Sequence, residues 1–340
     1  MKKTALLTIA GLMAVCWMVP AAIAAEADIV GIWQVKADFN GRPMESLLSF
    51  SKDKEGKLIG KAVSFFGVTE LKDIKLEGDK LTYSQVNRMG GNESTSTFTG
   101  TIKDGKLKGS TSSDFGQFDL EGTLMKAKPA VVGAWEFQTQ RGDQTMTSTL
   151  IVSQDKEGKF SAIWKTQRGE TPATDVTYAD GKLTFKRTMQ GRQREGQEQP
   201  AQTREMTYEL TAKGDTISGI MKTQRGENPI EGKRIGGALI GTWELTIASE
   251  RGDRTQWLMV MPDMSALYGP VAVDKVVMED NKVSFTVKMS FGDRSIENQF
   301  KGQLEGDKLT GEMTSPAMGR PGEGTDASAT VTQKVTGKKI

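Results

Sequence analysis

The chain contains no histidine, and that one absence removes the commonest general base and the commonest metal ligand together. Its single cysteine, Cys16, lies inside an apolar run near the start, so beyond that run there is no thiol nucleophile, disulfide or cysteine-based metal site. Serine-histidine triads, cysteine-histidine dyads and ordinary zinc centres are thereby excluded. Charge of one sign is also lacking. The sequence has 45 Lys+Arg and 43 Asp+Glu, and because Lys2 and Lys3 precede the apolar run, 43 stand against 43 after it. That balance offers no field to attract nucleic acid or anionic lipid. No later stretch approaches the roughly 20 apolar residues of a membrane helix, so no integral membrane segment is expected. No cofactor is expected either.

What is present begins with an address. Met1-Lys2-Lys3, the uncharged run Ala5 to Val19 and the small residues Ala22-Ile23-Ala24 have the three parts of a cleavable secretory signal over residues 1–25, which predicts a periplasmic or secreted protein. A lipid anchor at Leu12-Met13-Ala14-Val15-Cys16 would need a small residue where Val15 stands, and cleavage after Ala24 would discard Cys16.

The remainder is repetitive. Gly31-Ile32-Trp33, Gly133-Ala134-Trp135 and Gly241-Thr242-Trp243 are spaced by 102 and 108 residues, and later landmarks keep phase with them. Lys80-Leu81-Thr82-Tyr83 answers Lys182-Leu183-Thr184-Phe185 and Lys282-Val283-Ser284-Phe285; Leu107-Lys108-Gly109 answers Ile217-Ser218-Gly219 and Leu309-Thr310-Gly311. The units predicted are 26–126, 127–236 and 237–340, joined near Lys126 to Val132 and Gly232 to Leu239.

Each unit alternates apolar with polar residues between turn signals roughly every 12 residues, which reads as all-β. In the first, strands are predicted over Gly31–Asp38, Met44–Ser51, Lys57–Phe65, Glu70–Leu76, Lys80–Asn87, Ser94–Ile102, Lys106–Ser112 and Gln117–Leu124. A meander of eight strands exposes two edges unless the sheet closes, so the expected architecture is three tandem antiparallel up-and-down β-barrels, with β-sandwiches as the alternative. One large outer-membrane barrel is disfavoured by the charged composition, an aromatic content of 7% and the lysine-rich stretch Lys334 to Lys339.

On Gly-x-Trp, the strand meander and the Gly-x-Lys-Leu and Leu-x-Gly hairpin signals, the units resemble calycin-type barrels of the lipocalin and avidin kind, and the small β repeats of secreted bacterial proteins. The resemblance implies a binding scaffold and names no ligand.

In a meander, loops after odd strands share one rim. There the chain carries Arg141-Gly142-Asp143, Arg168-Gly169-Glu170, Arg225-Gly226-Glu227 and Arg251-Gly252-Asp253, with Phe291-Gly292-Asp293-Arg294 as a variant and the insertion Gln190 to Gln202 beside them. Guanidinium forks beside glycine suit a carboxylate, sulfate or sugar hydroxyl; the competing reading is a solvated turn that selects glycine for its backbone. Arg-Gly-Asp as an integrin ligand rests on a tripeptide alone. Trp33, Trp135 and Trp243 read as core plugs, whereas Trp164 and Trp257 have no counterpart in the aligned copies and mark candidate private sites. The candidate ligand-binding residues are thus Arg141, Asp143, Trp164, Arg168, Glu170, Arg225, Glu227 and Trp257. The expected function is an exported non-enzymatic binding or interaction protein for a small molecule, glycan or envelope protein. A ligand-free envelope spacer is one alternative. A carboxylate-dependent hydrolase, with Glu170 and Glu227 as candidates, is the other.

Overall fold

Strands with one dry and one wet face bury the dry face most completely when the sheet curls shut. The computed structural model does this completely once and nearly so twice; it describes residues 29–39, 41–89, 92–114, 116–190, 203–250, 252–273, 275–291, 294–317 and 329–340. The expected export signal, Arg251, Gly292-Asp293 and the insertion beyond Gln190 lie outside the described residues.

The first barrel comprises β1 (Gly31–Phe39), β2 (Arg42–Lys52), β3 (Leu58–Ser64), β4 (Gly67–Glu77), β5 (Lys80–Met89), β6 (Asn92–Lys103), β7 (Lys106–Ser113) and β8 (Gly116–Leu124). Every expected strand is there, its ends displaced by three residues at most. β8 returns to β1 with Trp33 opposite Leu124, and the ring closes.

The second runs through β9 (Gly133–Arg141), β10 (Gln144–Gln154), β11 (Phe160–Thr166), β12 (Gly169–Pro172), β13 (Thr174–Ala179), β14 (Lys182–Gln190), β15 (Thr203–Lys213), β16 (Thr216–Thr223) and β17 (Gly226–Arg234). A 3₁₀ turn, Gly237–Leu239, leads into the third: β18 (Gly241–Ile247), β19 (Arg254–Val260), β20 (Ala266–Tyr268), β21 (Val271–Val273), β22 (Val277–Glu279), β23 (Lys282–Phe291), β24 (Arg294–Glu305), β25 (Lys308–Pro316) and β26 (Thr330–Lys339). In each, the last strand pairs with the first, and the two ends of the sheet are consecutive segments, β12 and β13 or β21 and β22. These correspond to the single β4, which in the first barrel survives as one strand with a bulge between Lys72 and Lys75. The second and third barrels are therefore nearly closed, parted only where that strand breaks.

The interiors are built in matching layers. Trp33, Trp135 and Trp243 are fully buried, and each indole Nε1 donates to the carbonyl four residues earlier: Ile29 (2.8 Å), Val131 (2.9 Å) and Leu239 (2.8 Å). They plug the end where the chain enters, with the one polar atom of the indole satisfied. Above them lie cross-strand aromatic pairs, Tyr83 on Phe98 (4.8 Å), Phe185 on Tyr208 (4.7 Å) and Phe285 on Phe300 (4.8 Å). The Leu-x-Gly landmark follows from this layer. Gly100 faces Gly109 and Gly302 faces Gly311, and a Cβ on any of them would collide with the ring of Phe98 or Phe300. The ring covers backbone that a larger residue would hold away.

The first and third barrels pack on each other. Trp257 and Met259 face outward on β19 and join Leu47 and Val63 of the first barrel in an apolar cluster. Beside it Lys61 pairs with Glu244 at 3.0 Å. The turn between β3 and β4 sends Phe65 against the core of the third barrel, where the Gln256 amide donates to the carbonyls of Ser64 (3.0 Å) and Phe65 (3.3 Å). On the linker to the second barrel, Lys128 pairs with Asp263. An indole on the outer wall would otherwise be left in water, and packing it against a neighbour removes that cost.

Candidate functional site in the mouth of the second barrel

Strand alternation and register decide which side chains face each lumen. The plugs Trp33, Trp135 and Trp243 lie opposite Leu48, Leu150 and Leu258, and these in turn oppose Ala62, Trp164 and Tyr268. The place of Trp164 is taken by Ala62 in the first barrel and by Tyr268 in the third, so an aromatic partner exists in one other copy, which sequence spacing hides because Tyr268 follows a differently spaced hairpin.

Trp164 is buried, with ring centroids 5.0 Å from Phe137, 5.0 Å from Tyr208 and 6.3 Å from Phe185. Two residues beyond Phe185 toward the rim, alternation turns Arg187 into the same lumen. It is 7% exposed, its guanidinium carbon lies 5.0 Å from the Trp164 ring centre, and its Nε is buried without a hydrogen-bond partner. Among the described residues no carboxylate pairs with it. The register places Gln85 and Val287 at the equivalent positions. Stacking on an indole favours a guanidinium, but a buried cation lacking both an anion and a full set of acceptors remains costly.

Methionine surrounds this charge. Met206 lies opposite Arg187 and Met221 opposite Tyr208, both half-buried against the core. Met146 and Met189 are in phase with Leu150 and Phe185 nearer the rim and are 42% and 44% exposed. The Tyr208 hydroxyl donates to the Met206 sulfur at 3.8 Å. Burial raises the Tyr208 pKa, against the lowering pull of Arg187. The mouth thus grades from a flexible thioether collar to an aromatic floor with one cation.

The other mouths differ. In the third, Phe65 packs on the core, Gln256 is fully buried, and the Tyr268 hydroxyl and Asn298 Oδ1 lack partners. The first holds small buried polar residues, Ser96 and Thr111. Two depressions of about 480 and 380 Å³ lie on the outer wall of the third barrel, against Gly302, Gly311 and Lys334 and against Lys275, Lys288 and Glu297.

The rim residues singled out from sequence sit on hairpin tips. Lys165-Thr166-Gln167-Arg168-Gly169-Glu170 recurs letter for letter as Lys222-Thr223-Gln224-Arg225-Gly226-Glu227, a signal that comparing only the Arg-Gly-acid triplets overlooked. In both, the threonine hydroxyl accepts from the arginine backbone N–H (3.2 and 3.1 Å) and donates to the glycine carbonyl (3.3 and 3.1 Å), and the glycine adopts φ +122°. The motif is a hydroxyl-closed turn. The Arg168 and Arg225 side chains are exposed; Glu170 pairs with Lys165, and Glu227 lies 3.7 Å from Lys222. Arg141 ends β9 and Asp143 is exposed in the following turn. Trp257 lies in the cluster between the first and third barrels, away from the second mouth. Topology puts the turns of Arg141, Arg168 and Arg225 on one rim of the second barrel, and Trp164 is buried in its lumen. Arg187 was missed because Lys-Arg in a strand reads as solvated. Among the described residues no group of three or more acidic, histidine or cysteine side chains could hold a metal ion, and no helix is long and apolar enough to cross a membrane.

No protein-family model matches the chain, and no curated protein does. Among solved structures it is similar to a candidate outer membrane protein of Bacteroides fragilis (15% identity, 62% of this chain and 98% of that one, TM-score 0.24). A protein with unknown function from Nostoc punctiforme follows (10%, 94% and 99%, 0.21), as does Transferrin Binding Protein B of Haemophilus parasuis (11%, 91% and 75%, 0.19). Scores this low bear on neither ancestry nor function.

Proposed function

We propose that the chain is an exported, non-enzymatic binding protein of calycin type, acting in the periplasm or outside the cell, whose ligand enters the mouth of the second barrel. The units 26–126 and 237–340 pack on each other through Trp257 and Phe65 and form a support, while the unit 127–236 carries the site. One observation carries this reading: Arg187 is buried over Trp164 in the lumen of the second barrel with its Nε unpartnered. Such an arrangement is destabilising by itself and marks a site that is completed by something else. Export rests on the three-part signal in residues 1–25.

The test is intrinsic fluorescence of the protein beyond residue 25, titrated with amphipathic small molecules, glycans and envelope extract. Binding in the second mouth changes the emission of Trp164, and the change vanishes in Trp164→Phe while persisting in Trp257→Phe. A saturable change lost in Trp257→Phe instead would move the site to the barrel interface. No change with any compound would leave the spacer reading standing.

A further inference from the structure

From the same mouth we infer the chemical class of its occupant: a monoanionic carboxylate on an apolar body, the carboxylate held by Arg187 and the body by Trp164 and the methionine collar. This rests on the binding reading above. Three features select the class. The side-on fork of a guanidinium, Nε–H with one Nη–H, matches the two oxygens of a carboxylate, and in Arg187 the Nε half of that fork is unused. The buried charge to be balanced is one: the buried and half-buried groups around it, Trp164, Tyr208, Met206 and Met221, are uncharged, and Arg204, in phase with them opposite Met189 at the rim, is exposed to water; a phosphate dianion would leave a net charge in the dry part of the site. Around that charge the walls are thioether and indole, which offer contact area without hydrogen bonds and adapt to the shape of an apolar body.

The site is also particular to this barrel. Gln85 and Val287 replace Arg187 in the other two, and Phe65 stands against the core of the third. A glycan would find too few hydrogen-bonding groups in such a lumen.

The experiment compares acids with neutral isosteres: a long-chain fatty acid against its primary amide, and an aryl acetate against the corresponding acetamide. Each is titrated calorimetrically into the protein, Arg187→Met and Arg187→Lys. The expected result is that at least one acid binds the parent ten-fold or more tighter than its amide, that Arg187→Met abolishes this preference while leaving amide affinity within about two-fold, and that Arg187→Lys restores part of it. Which acid shows the preference separates an acyl chain from an aromatic body. Equal binding of acid and amide, or a preference that survives Arg187→Met, overturns the assignment while leaving the second mouth as a binding site. Failure of every compound to bind or to perturb Trp164 overturns the binding reading itself. Thermal unfolding of Arg187→Met guards against misfolding. Loss of an unpaired buried charge should leave its Tm at or above that of the parent.

Discussion

The side-chain amide of Gln256, fully buried in the third barrel, donates to the backbone carbonyl of Ser64 in the first at 3.0 Å. These residues are 192 apart in sequence, and the bond holds a hairpin turn of one barrel against the core of another. Phe65, next to Ser64, packs where the third barrel would otherwise open. The first and third barrels should therefore unfold together. Phe65→Ala removes a half-buried ring and should cost about 1–3 kcal/mol, in the range for partial loss of a packed aromatic. Denaturant unfolding followed by amide exchange in β6 and β24 should show the two barrels separating in the variant; unchanged coupling would show that the Trp257 cluster suffices.

The plug of the second barrel should act locally. Trp135→Ala leaves a cavity and an unsatisfied Val131 carbonyl, and a loss of about 3–5 kcal/mol is expected, confined to the second barrel. Exchange protection in β10 and β15 should fall while that in β2 and β24 holds.

At the hairpin tips, glycine matters more than arginine. Gly169→Ala and Gly226→Ala force a Cβ onto φ +122° and should each cost about 1–2 kcal/mol, whereas Arg168→Ala and Arg225→Ala, at exposed positions, should stay within about 0.5 kcal/mol of the parent. If the arginine variants weaken ligand affinity by ten-fold, the rim contributes to recognition after all.

Gly302→Ala tests the ring-over-glycine layer. Its Cβ would run into the Thr310 carbonyl of the neighbouring strand and into the Phe300 ring, so the strand pair must part slightly and the ring must leave a position where it is fully buried. A drop of about 1–3 kcal/mol follows from overpacking, and Phe300→Leu in the same chain should recover part of it.

Alkaline pH should unfold the protein at a recognisable place. Burial raises the pKa of Tyr83, Tyr208 and Tyr268 above the ordinary tyrosine value near 10. Above that value the unfolded chain releases phenolic protons that the fold retains, so the stability from these groups is complete below about pH 10 and is lost as pH rises toward the raised values. A Tm profile from pH 8 to 12 should be flat and then fall, and Tyr83→Phe should lessen the fall. With no histidine in the chain, no imidazole adds a step between pH 5 and 8.

Read from the residues, much of the fold was already determined. Alternation and glycine turns specify strand, turn and dry face locally, so β1 to β8 were legible almost to the residue, and repetition of Gly-x-Trp fixed the number of units. Trp33, Trp135 and Trp243 were recognisable as plugs because an indole at the same place in every copy has to serve the scaffold. The hydroxyl-closed turns were legible too, once Thr166 and Thr223 are counted with the triplets they precede.

What only the tertiary structure decided involves groups brought together from distant strands. The lumen around Trp164 joins β9, β11, β14 and β15, and Arg187 becomes a buried cation solely because the sheet closes around it. The same is true of Trp257, outward on its own barrel and buried only because the first barrel covers it. Periodicity reports which face of a strand a residue occupies; whether that face meets water, a neighbouring barrel or a closed lumen depends on contacts between separate strands, within one barrel for Arg187 and across barrels for Trp257, and the desolvation that sets the energy of both is a property of those contacts.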